Sequence, residues 1–147
     1  MPTLQNILAL LSLSLLPATQ AASLPRASSS MPTIGSTETY SGQITWYNTN
    51  GGYGACGTVL SDSEAICALS EKLYDQYTKN SNSNDNELCG KKIEITMPSG
   101  QTATVTVADR CTGCAATDID LTPTTFKQLV SGGLGTGRTE ATWKWAS

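Results

Sequence analysis

The 147-residue sequence contains no histidine and only one phenylalanine. Without histidine the chain cannot form a Ser-His-Asp or Cys-His nucleophile, and no metal site can use imidazole ligands. Acid–base chemistry is therefore left mainly to aspartate, glutamate and tyrosine side chains. We expect neither a bound metal nor a cofactor.

Charge and long apolar runs are also scarce. Nine basic and twelve acidic residues give a net charge of -3, and they form no basic stripe, so nucleic acid is not an expected partner. The apolar run from Ile7 to Ala18 is too short to span a bilayer. Small residues follow it, which predicts a secretory signal peptide at residues 1–22. A buried core helix is the alternative interpretation of this run.

The domain organisation follows from the composition after that run. Residues 23–39 are rich in Ser, Pro and Thr and lack a sustained apolar period, which predicts a flexible leader or propeptide. Residues 40–147 remain for one domain with one core. With the export signal, this predicts a monomeric protein that is secreted to the extracellular space or the cell wall and is not held in a membrane.

Five cysteines are present, which is an odd number: Cys56, Cys67, Cys89, Cys111 and Cys114. Export makes disulfides the default interpretation. We favour the pairs Cys56–Cys89 and Cys111–Cys114, with Cys67 as a buried free thiol. The rival pairing joins Cys67 to Cys111 and leaves Cys114 free, and the odd thiol could also link two chains. Zinc or redox chemistry at the Cys-x-x-Cys is disfavoured by its context.

Several short elements can be predicted from residue patterns. Strands are expected at residues 43–47, 64–69, 92–97, 102–108 and 138–145. Short helices are expected at residues 70–77, capped by Ser70, and after Thr122-Pro123, with Thr122 as the N-cap. Residues 48–54 form a glycine-rich turn, and the Asn, Ser and Asp residues at 80–86 predict a solvated loop. This pattern is typical of a small, mainly β barrel.

The segment from Val105 to Phe126 runs from a strand through a cysteine-pinned loop to a helix start, and it delivers Asp118 and Asp120 to a rigid position. We interpret Asp118 as a surface residue. Asp120 either anchors the loop or binds a ligand. The helix start would lower the pKa of Asp120 and burial would raise it, and the balance stays open.

Five sequence landmarks occur in order: residues 54–57 (GACG), 89–92 (CGKK), 107–111 (VADRC), 118–123 (DIDLTP) with Phe126, and 143–145 (WKW). Over nearly all of residues 40–145 the chain resembles the rare lipoprotein A-like double-psi β-barrel family, which is also called barwin-like. It most resembles single-domain fungal expansin-like proteins of the loosenin type. The resemblance implies a mainly β fold, a six-stranded double-psi β-barrel with two or three short helices.

The resemblance also implies a groove that binds cell-wall polysaccharide, such as cellulose, chitin or a related glucan, and wall loosening as a further activity. Asp120 matches the key polar residue of that groove, and Asp109 and Thr45 match two further positions. Tyr47 and Tyr53 are candidate aromatic platforms for sugar rings, as is Trp46. Because neighbouring strand residues point to opposite faces, we expect at most one of Trp46 and Tyr47 to line the groove.

Hydrolysis of a glycosidic bond ordinarily needs two carboxyl groups. In inverting endoglucanases that share this barrel, the base lies late in the first strand, and Asn48 occupies the corresponding place here. We therefore expect binding without cleavage, and Asp120 is the only catalytic candidate should cleavage occur. The first alternative is an inhibitor of papain-type cysteine proteases or an effector that docks through its loops. The second is a weak polysaccharide-cleaving enzyme.

Overall fold

The computed structural model describes residues 30–147. The predicted signal peptide and the first part of the predicted leader lie outside the described residues, so these domain limits stay a prediction. Within the part of the chain that is described, no helix has the length and apolar character needed to cross a bilayer.

Eight strands and two short α-helices follow one another within residues 30–147. They are β1 (Tyr40–Trp46), β2 (Ile66–Ser70), α1 (Glu71–Tyr74), β3 (Thr78–Lys79), β4 (Asn82–Asn86), β5 (Lys92–Thr96), β6 (Thr102–Cys111), β7 (Ile119–Leu121), α2 (Pro123–Leu129) and β8 (Arg138–Trp145). Short 3-10 turns lie at Asp75–Tyr77 and Gly133–Thr136.

Six of these strands close into a barrel in the order β1-β7-β2-β6-β5-β8. The pairs β1–β7 and β2–β6 are parallel, and the other neighbours in the barrel are antiparallel. The predicted mainly β, six-stranded barrel with short helices is confirmed.

Alternating apolar residues of the strands fill the barrel interior. Ile93 of β5 is the register partner of Val105 on the neighbouring strand β6, and both are buried, as is Ile95. On β8, Trp143 is buried and its ring centroid lies 4.9 Å from that of Tyr40. These positions follow from the period of two that the sequence shows in each strand.

One local prediction is wrong. Residues 80–86 are not a plain loop, because β3 and β4 pair into an antiparallel two-stranded ribbon there. Thr122 is the N-cap residue of α2, as predicted, but its side chain makes no capping hydrogen bond, since its hydroxyl donates to the carbonyl oxygen of Glu64 at 2.7 Å. Ser70, by contrast, caps α1 by accepting from the backbone N–H of Lys72, as predicted.

The described residues just before β1 lie against the barrel. The backbone N–H of Ile34 donates to the Tyr77 hydroxyl at 3.2 Å, and that of Thr33 donates to the Tyr40 hydroxyl at 3.4 Å. Ile34 packs against the core. These contacts attach part of the segment between residues 30 and 39 to the domain.

Two disulfides connect the loops of the barrel, Cys56–Cys89 and Cys111–Cys114, which is the pairing that the sequence favours. Cys67 is free and fully buried in β2. The hydroxyl of Tyr74 lies within 3.3 Å of both sulfurs of the first disulfide and donates to a backbone carbonyl of the β3–β4 ribbon at 2.8 Å. The disulfide, the ribbon and α1 are therefore joined at one point.

Candidate functional site

An open groove of about 380 Å³ lies where four strands of the barrel adjoin. Thr45 of β1 is the register partner of Asp120 of β7. Asp120 is beside Ala68 of β2, and Ala68 is beside Asp109 of β6. These residues form the four-strand row, which places one hydroxyl and two carboxyl groups in the groove. The complete lining is Thr45, Trp46, Tyr47, Ala68, Asp109, Arg110, Cys111, Thr112, Gly113, Cys114, Asp120 and Arg138.

Asp120 is the half-buried carboxyl group of the row. Its Oδ1 accepts a hydrogen bond from the Thr45 hydroxyl at 2.8 Å. Its Oδ2 lies 4.0 Å from the Cys111 sulfur, which has no hydrogen to donate because it belongs to a disulfide. Burial raises the pKa of Asp120 above its ordinary value, whereas the Thr45 hydroxyl and the charge of Arg138 act in the opposite direction. The net direction is upward, because burial is the largest of these effects.

Asp109 reaches the groove because of an irregularity in β6. Cys67 of β2 pairs with Val107, but the next residue, Ala68, pairs with Asp109, so that Ala108 is an extra residue. Regular alternation would put Asp109 on the inward face with Val107. A one-residue register shift of this kind re-aims the side chains that follow it. The shift therefore directs the Asp109 side chain toward the groove.

Both carboxyl oxygens of Asp109 hold neighbouring groups. Oδ1 accepts from the backbone N–H groups of Ala55 and Arg110 at 2.8 and 2.9 Å. Oδ2 accepts from the Tyr47 hydroxyl at 3.0 Å. Burial, followed by the charge of Asp109, raises the pKa of Tyr47, so its phenol stays a neutral donor. Asp109 thus links the glycine-rich turn to the groove.

Trp46 and Tyr47 both line the groove, so the prediction that at most one of them does is wrong. Trp46 is the last residue of β1, and Tyr47 already lies beyond the strand. The Trp46 indole N–H donates to the carbonyl oxygen of Leu134 at 3.0 Å, while the Tyr47 hydroxyl bonds to Asp109. The alternation of side chains along a strand does not apply to a residue beyond the strand end, such as Tyr47. The hydrogen bonds to Leu134 and Asp109 hold both aromatic side chains at the groove.

Two arginines border the groove, and neither was predicted from the sequence as a site residue. Arg110 forms a two-pronged ion pair with Asp75, with both N–O distances at 2.7 Å, and also approaches Glu71 at 3.2 Å. The hydrogen bond from Arg110 lowers the pKa of Asp75. Arg138 is the β8 register partner of Thr45, and the groove-facing position of Thr45 could have pointed to it.

Asp118 is not a surface residue, because it is only 8% exposed. Its carboxylate accepts from the backbone N–H groups of Gln43 at 2.9 Å and Ala115 at 3.2 Å. It also pairs with Arg138 at 3.3 Å. The surface interpretation was wrong because two of the three donors, Gln43 and Arg138, lie on β1 and β8, which are distant in sequence from Asp118. Its role is to hold the segment before β7 in place.

Tyr53 and Asn48, the remaining predicted positions, lie outside the groove. Both are exposed, and neither contributes to its lining. Within residues 30–147, the one set of three candidate metal ligands consists of Cys111, Cys114 and Asp120, whose ligand atoms lie within 4.8 Å of one another. The two sulfurs form a disulfide and offer no thiolate to a metal.

The chain is similar in sequence and structure to several known proteins. A 90-residue segment, 60% of the chain, is 41% identical to an Allergen Asp f 7 homolog from Arthroderma benhamiae and 36% identical to a Papain inhibitor from Streptomyces mobaraensis. It spans 28% and 59% of those proteins, respectively. The solved Streptomyces papain inhibitor is 32% identical with a TM-score of 0.67, and the match covers 78% of this chain and 100% of that one. The chain belongs to the rare lipoprotein A-like double-psi β-barrel family.

Other members of this double-psi β-barrel family extend the comparison. The apo expansin of Clavibacter michiganensis is 25% identical with a TM-score of 0.59, and the match covers 74% of this chain and 50% of that one. A point mutant of the same expansin, 24% identical to this chain, was solved in complex with cellohexaose and has the same fold. No protein-family model matches the chain.

Proposed function

We propose that this protein binds cell-wall polysaccharide in the groove without cleaving it. The observation behind the proposal is the four-strand row, which presents Asp120 and Asp109 on adjoining strands of an open groove. An expansin with the same barrel has been solved with cellohexaose, and this likeness supports a glucan or a related polymer as the ligand.

The groove offers the two kinds of contact that a sugar chain needs. An ionised Asp120 can accept charge-assisted hydrogen bonds from sugar hydroxyls through Oδ2, because Thr45 occupies only Oδ1. The rings of Trp46 and Tyr47 provide apolar surface at the same groove. A neutral polymer of hydroxylated rings therefore fits better than a small charged metabolite.

Cleavage would need a general acid and a second carboxyl that activates water or attacks the sugar. Asn48 is an amide and does not line the groove. Asp109 lies in the groove, but its two oxygens accept three hydrogen bonds, which assigns it to holding the loop and Tyr47. Sustained release of reducing sugar from cellulose or chitin would contradict the proposal and favour the weak-enzyme alternative.

The groove can be tested with a pull-down of the purified protein on cellulose and chitin. We expect Asp120→Asn to reduce the bound fraction to that of an unrelated protein, because an amide cannot supply the anionic acceptor. Glu140→Gln is the matched control, since it neutralises an exposed carboxylate outside the groove lining. Equal binding by Asp120→Asn and the wild type would remove the groove from polysaccharide recognition.

A second candidate function is inhibition of a papain-type cysteine protease. It is favoured by the match to the Streptomyces papain inhibitor, which covers the whole of that solved chain at 32% identity. A papain assay tests it directly. Asp120→Asn separates the two candidates, because a groove-based polysaccharide binder loses binding, whereas an inhibitor that docks through its loops keeps its inhibition constant.

We also propose that the protein acts outside the cell. Disulfides form and persist mainly in oxidising compartments, and this chain has two of them in 118 described residues, 30–147. Detection of the protein in culture medium, with an N-terminus near residue 22, would support secretion. Recovery only from the cell interior would contradict it.

A further inference from the structure

Two of the exposed large apolar side chains of the described residues adjoin each other. Among residues 30–147, three large hydrophobic residues are exposed: Met31 at 39%, Tyr53 at 78% and Val59 at 58%. Tyr53 and Val59 are directly bridged to each other as antiparallel partners. Single exposed hydrophobic residues are ordinary, but an adjoining pair on one loop is a feature of interaction surfaces.

The pair lies on the stapled loop, which we define as residues 48–61. This stretch of fourteen residues, NTNGGYGACGTVLS, contains no charged side chain. Between Gly51 and Leu60, the only polar side-chain groups besides the disulfide sulfur are the hydroxyls of Tyr53 and Thr58. Charged residues are depleted and aromatic residues enriched at the centres of protein–protein interfaces.

The stapled loop is held in one shape by bonds along its length. Within it, Leu60 donates to the Gly52 carbonyl at 2.8 Å, and Gly54 donates to the Thr58 carbonyl at 2.9 Å. At its base, both the N–H and the hydroxyl of Thr49 donate to Asp62.

The rest of the domain braces the loop as well. The disulfide Cys56–Cys89 and the hydrogen bond from Ala55 to Asp109 attach it to the barrel. Gly57 has φ +80, and a Cβ there would lie 3.0 Å from the Asn84 side chain, so the β3–β4 ribbon sits directly against the loop. A loop fixed in this way loses little conformational freedom when it binds.

We propose that the stapled loop is a preformed wedge whose Tyr53 and Val59 side chains enter the substrate cleft of a papain-type cysteine protease. This proposal rests on the second candidate function, inhibition of a papain-type cysteine protease. It identifies the surface that would contact the protease. A rigid, uncharged loop with two adjoining apolar side chains at its exposed part is suited to a narrow cleft with apolar walls.

A polysaccharide is a poorer partner for this surface than a protein. Val59 has a branched aliphatic side chain and no flat face for a sugar ring, and the flanking glycines have no side chains to bond sugar hydroxyls. Tyr53 also stands apart from the groove, whose lining does not include it. Within this proposal Tyr53 docks a protein, and its predicted role in polysaccharide binding stays a prediction.

The test is an inhibition assay with papain and the full-length, disulfide-intact protein. The variant is Tyr53→Ser with Val59→Ser, which changes two exposed side chains and leaves the backbone bonds in place. We expect its inhibition constant to rise at least about tenfold, since a buried interface anchor is typically worth that much. Met31→Ser is the matched control, because it removes the third exposed apolar side chain and should leave the constant unchanged.

Each alternative result is informative. A double variant that inhibits papain as the wild type does would overturn the wedge while leaving inhibition itself intact. A wild-type protein that does not inhibit papain would overturn both the wedge and the second candidate function. Loss of cellulose or chitin pull-down in the double variant, with papain inhibition unchanged, would assign the loop to polysaccharide. The groove proposal is judged separately, by the pull-down of Asp120→Asn.

Discussion

At the scale of single residues, Asp120 shows a conflict between stability and function. Folding takes its carboxyl group out of water, which disfavours the charged form. Within residues 30–147, the Thr45 hydroxyl is the one side-chain hydrogen-bond donor to it. A carboxylate that is partly desolvated and incompletely bonded is available to a ligand. The same incompleteness disfavours the folded state whenever the group is ionised.

This conflict leads to a pH-dependent prediction for Asp120→Asn. Because the pKa of Asp120 is raised in the folded state, its contribution to stability is fully present below the ordinary value of 3.8 and is lost as pH rises through the folded pKa. The neutral variant should therefore unfold at the same or a higher temperature than the wild type at pH 7. This advantage should shrink toward pH 3. Thermal unfolding followed by circular dichroism at both pH values measures it, and a destabilised variant at pH 7 would contradict it.

Asp118 has the opposite character, since its carboxylate is buried and bonded to groups from three parts of the chain. Asp118→Ala should lower the free energy of unfolding by about 1–3 kcal/mol, because the N–H groups of Gln43 and Ala115 lose their acceptor. Urea denaturation measures the change. Asp85→Ala is the control, because Asp85 is exposed, and its effect should stay within about 0.5 kcal/mol.

The sequence disclosed the identities of the groove residues better than their roles. Asp120 and Asp109 could be named because each lies in a local sequence landmark, and Thr45 because the family resemblance implies a threonine in the first strand. The function of Asp118 could not be predicted, because its carboxylate accepts a hydrogen bond from Gln43, which lies 75 positions away in β1. The same holds for Arg138, whose side chain bonds to Gln43, 95 positions away.

At the scale of elements, periodicity predicted most barrel strands within a few residues. The alternation of β6 placed Val105 and Val107 inside correctly, but the extra residue at Ala108 left no mark in the pattern. The pairing of β3 with β4 was also missed, because exposed Asn and Ser residues have little strand preference. That ribbon forms where the Asn86 side chain bonds to Tyr74 and Thr78.

Gly42 is a position in β1 where only glycine fits. An added Cβ would clash with the Thr117 carbonyl oxygen, and that oxygen accepts a hydrogen bond from the Trp143 indole N–H at 2.8 Å. Gly42→Ala should therefore cost about 1–3 kcal/mol or more of stability, measured by urea denaturation. Gly113→Ala has open space around its Cβ and should change stability by less than about 0.5 kcal/mol. Equal effects of the two substitutions would contradict the steric explanation.

At the scale of the whole molecule, the barrel supports two surfaces of different character. The groove is polar and contains two carboxyl groups, whereas the stapled loop is uncharged and apolar. Asp109 joins them, because one of its oxygens holds Ala55 of the loop and the other holds Tyr47 of the groove. A change at this residue should therefore affect both surfaces, whereas changes within either surface should affect only one.

Asp109→Ala tests this connection. The variant should weaken both the polysaccharide pull-down and the inhibition of papain by roughly fivefold or more, because the Ala55 N–H and the Tyr47 hydroxyl each lose a hydrogen-bond acceptor. Asp109→Asn keeps an oxygen for Ala55 and should recover most of the papain inhibition. A loss confined to one of the two activities would show that the surfaces are held independently.

The buried position of Cys67 has a consequence for judging the quality of a purified preparation. Burial raises the pKa of its thiol, and the side chain is fully shielded from solvent. The folded barrel therefore keeps this unpaired thiol from reacting. A molecule that fails to fold exposes that sulfur to both disulfides and to other chains. The fraction of Cys67 that an alkylating reagent modifies in a native preparation would thus measure the fraction of misfolded molecules.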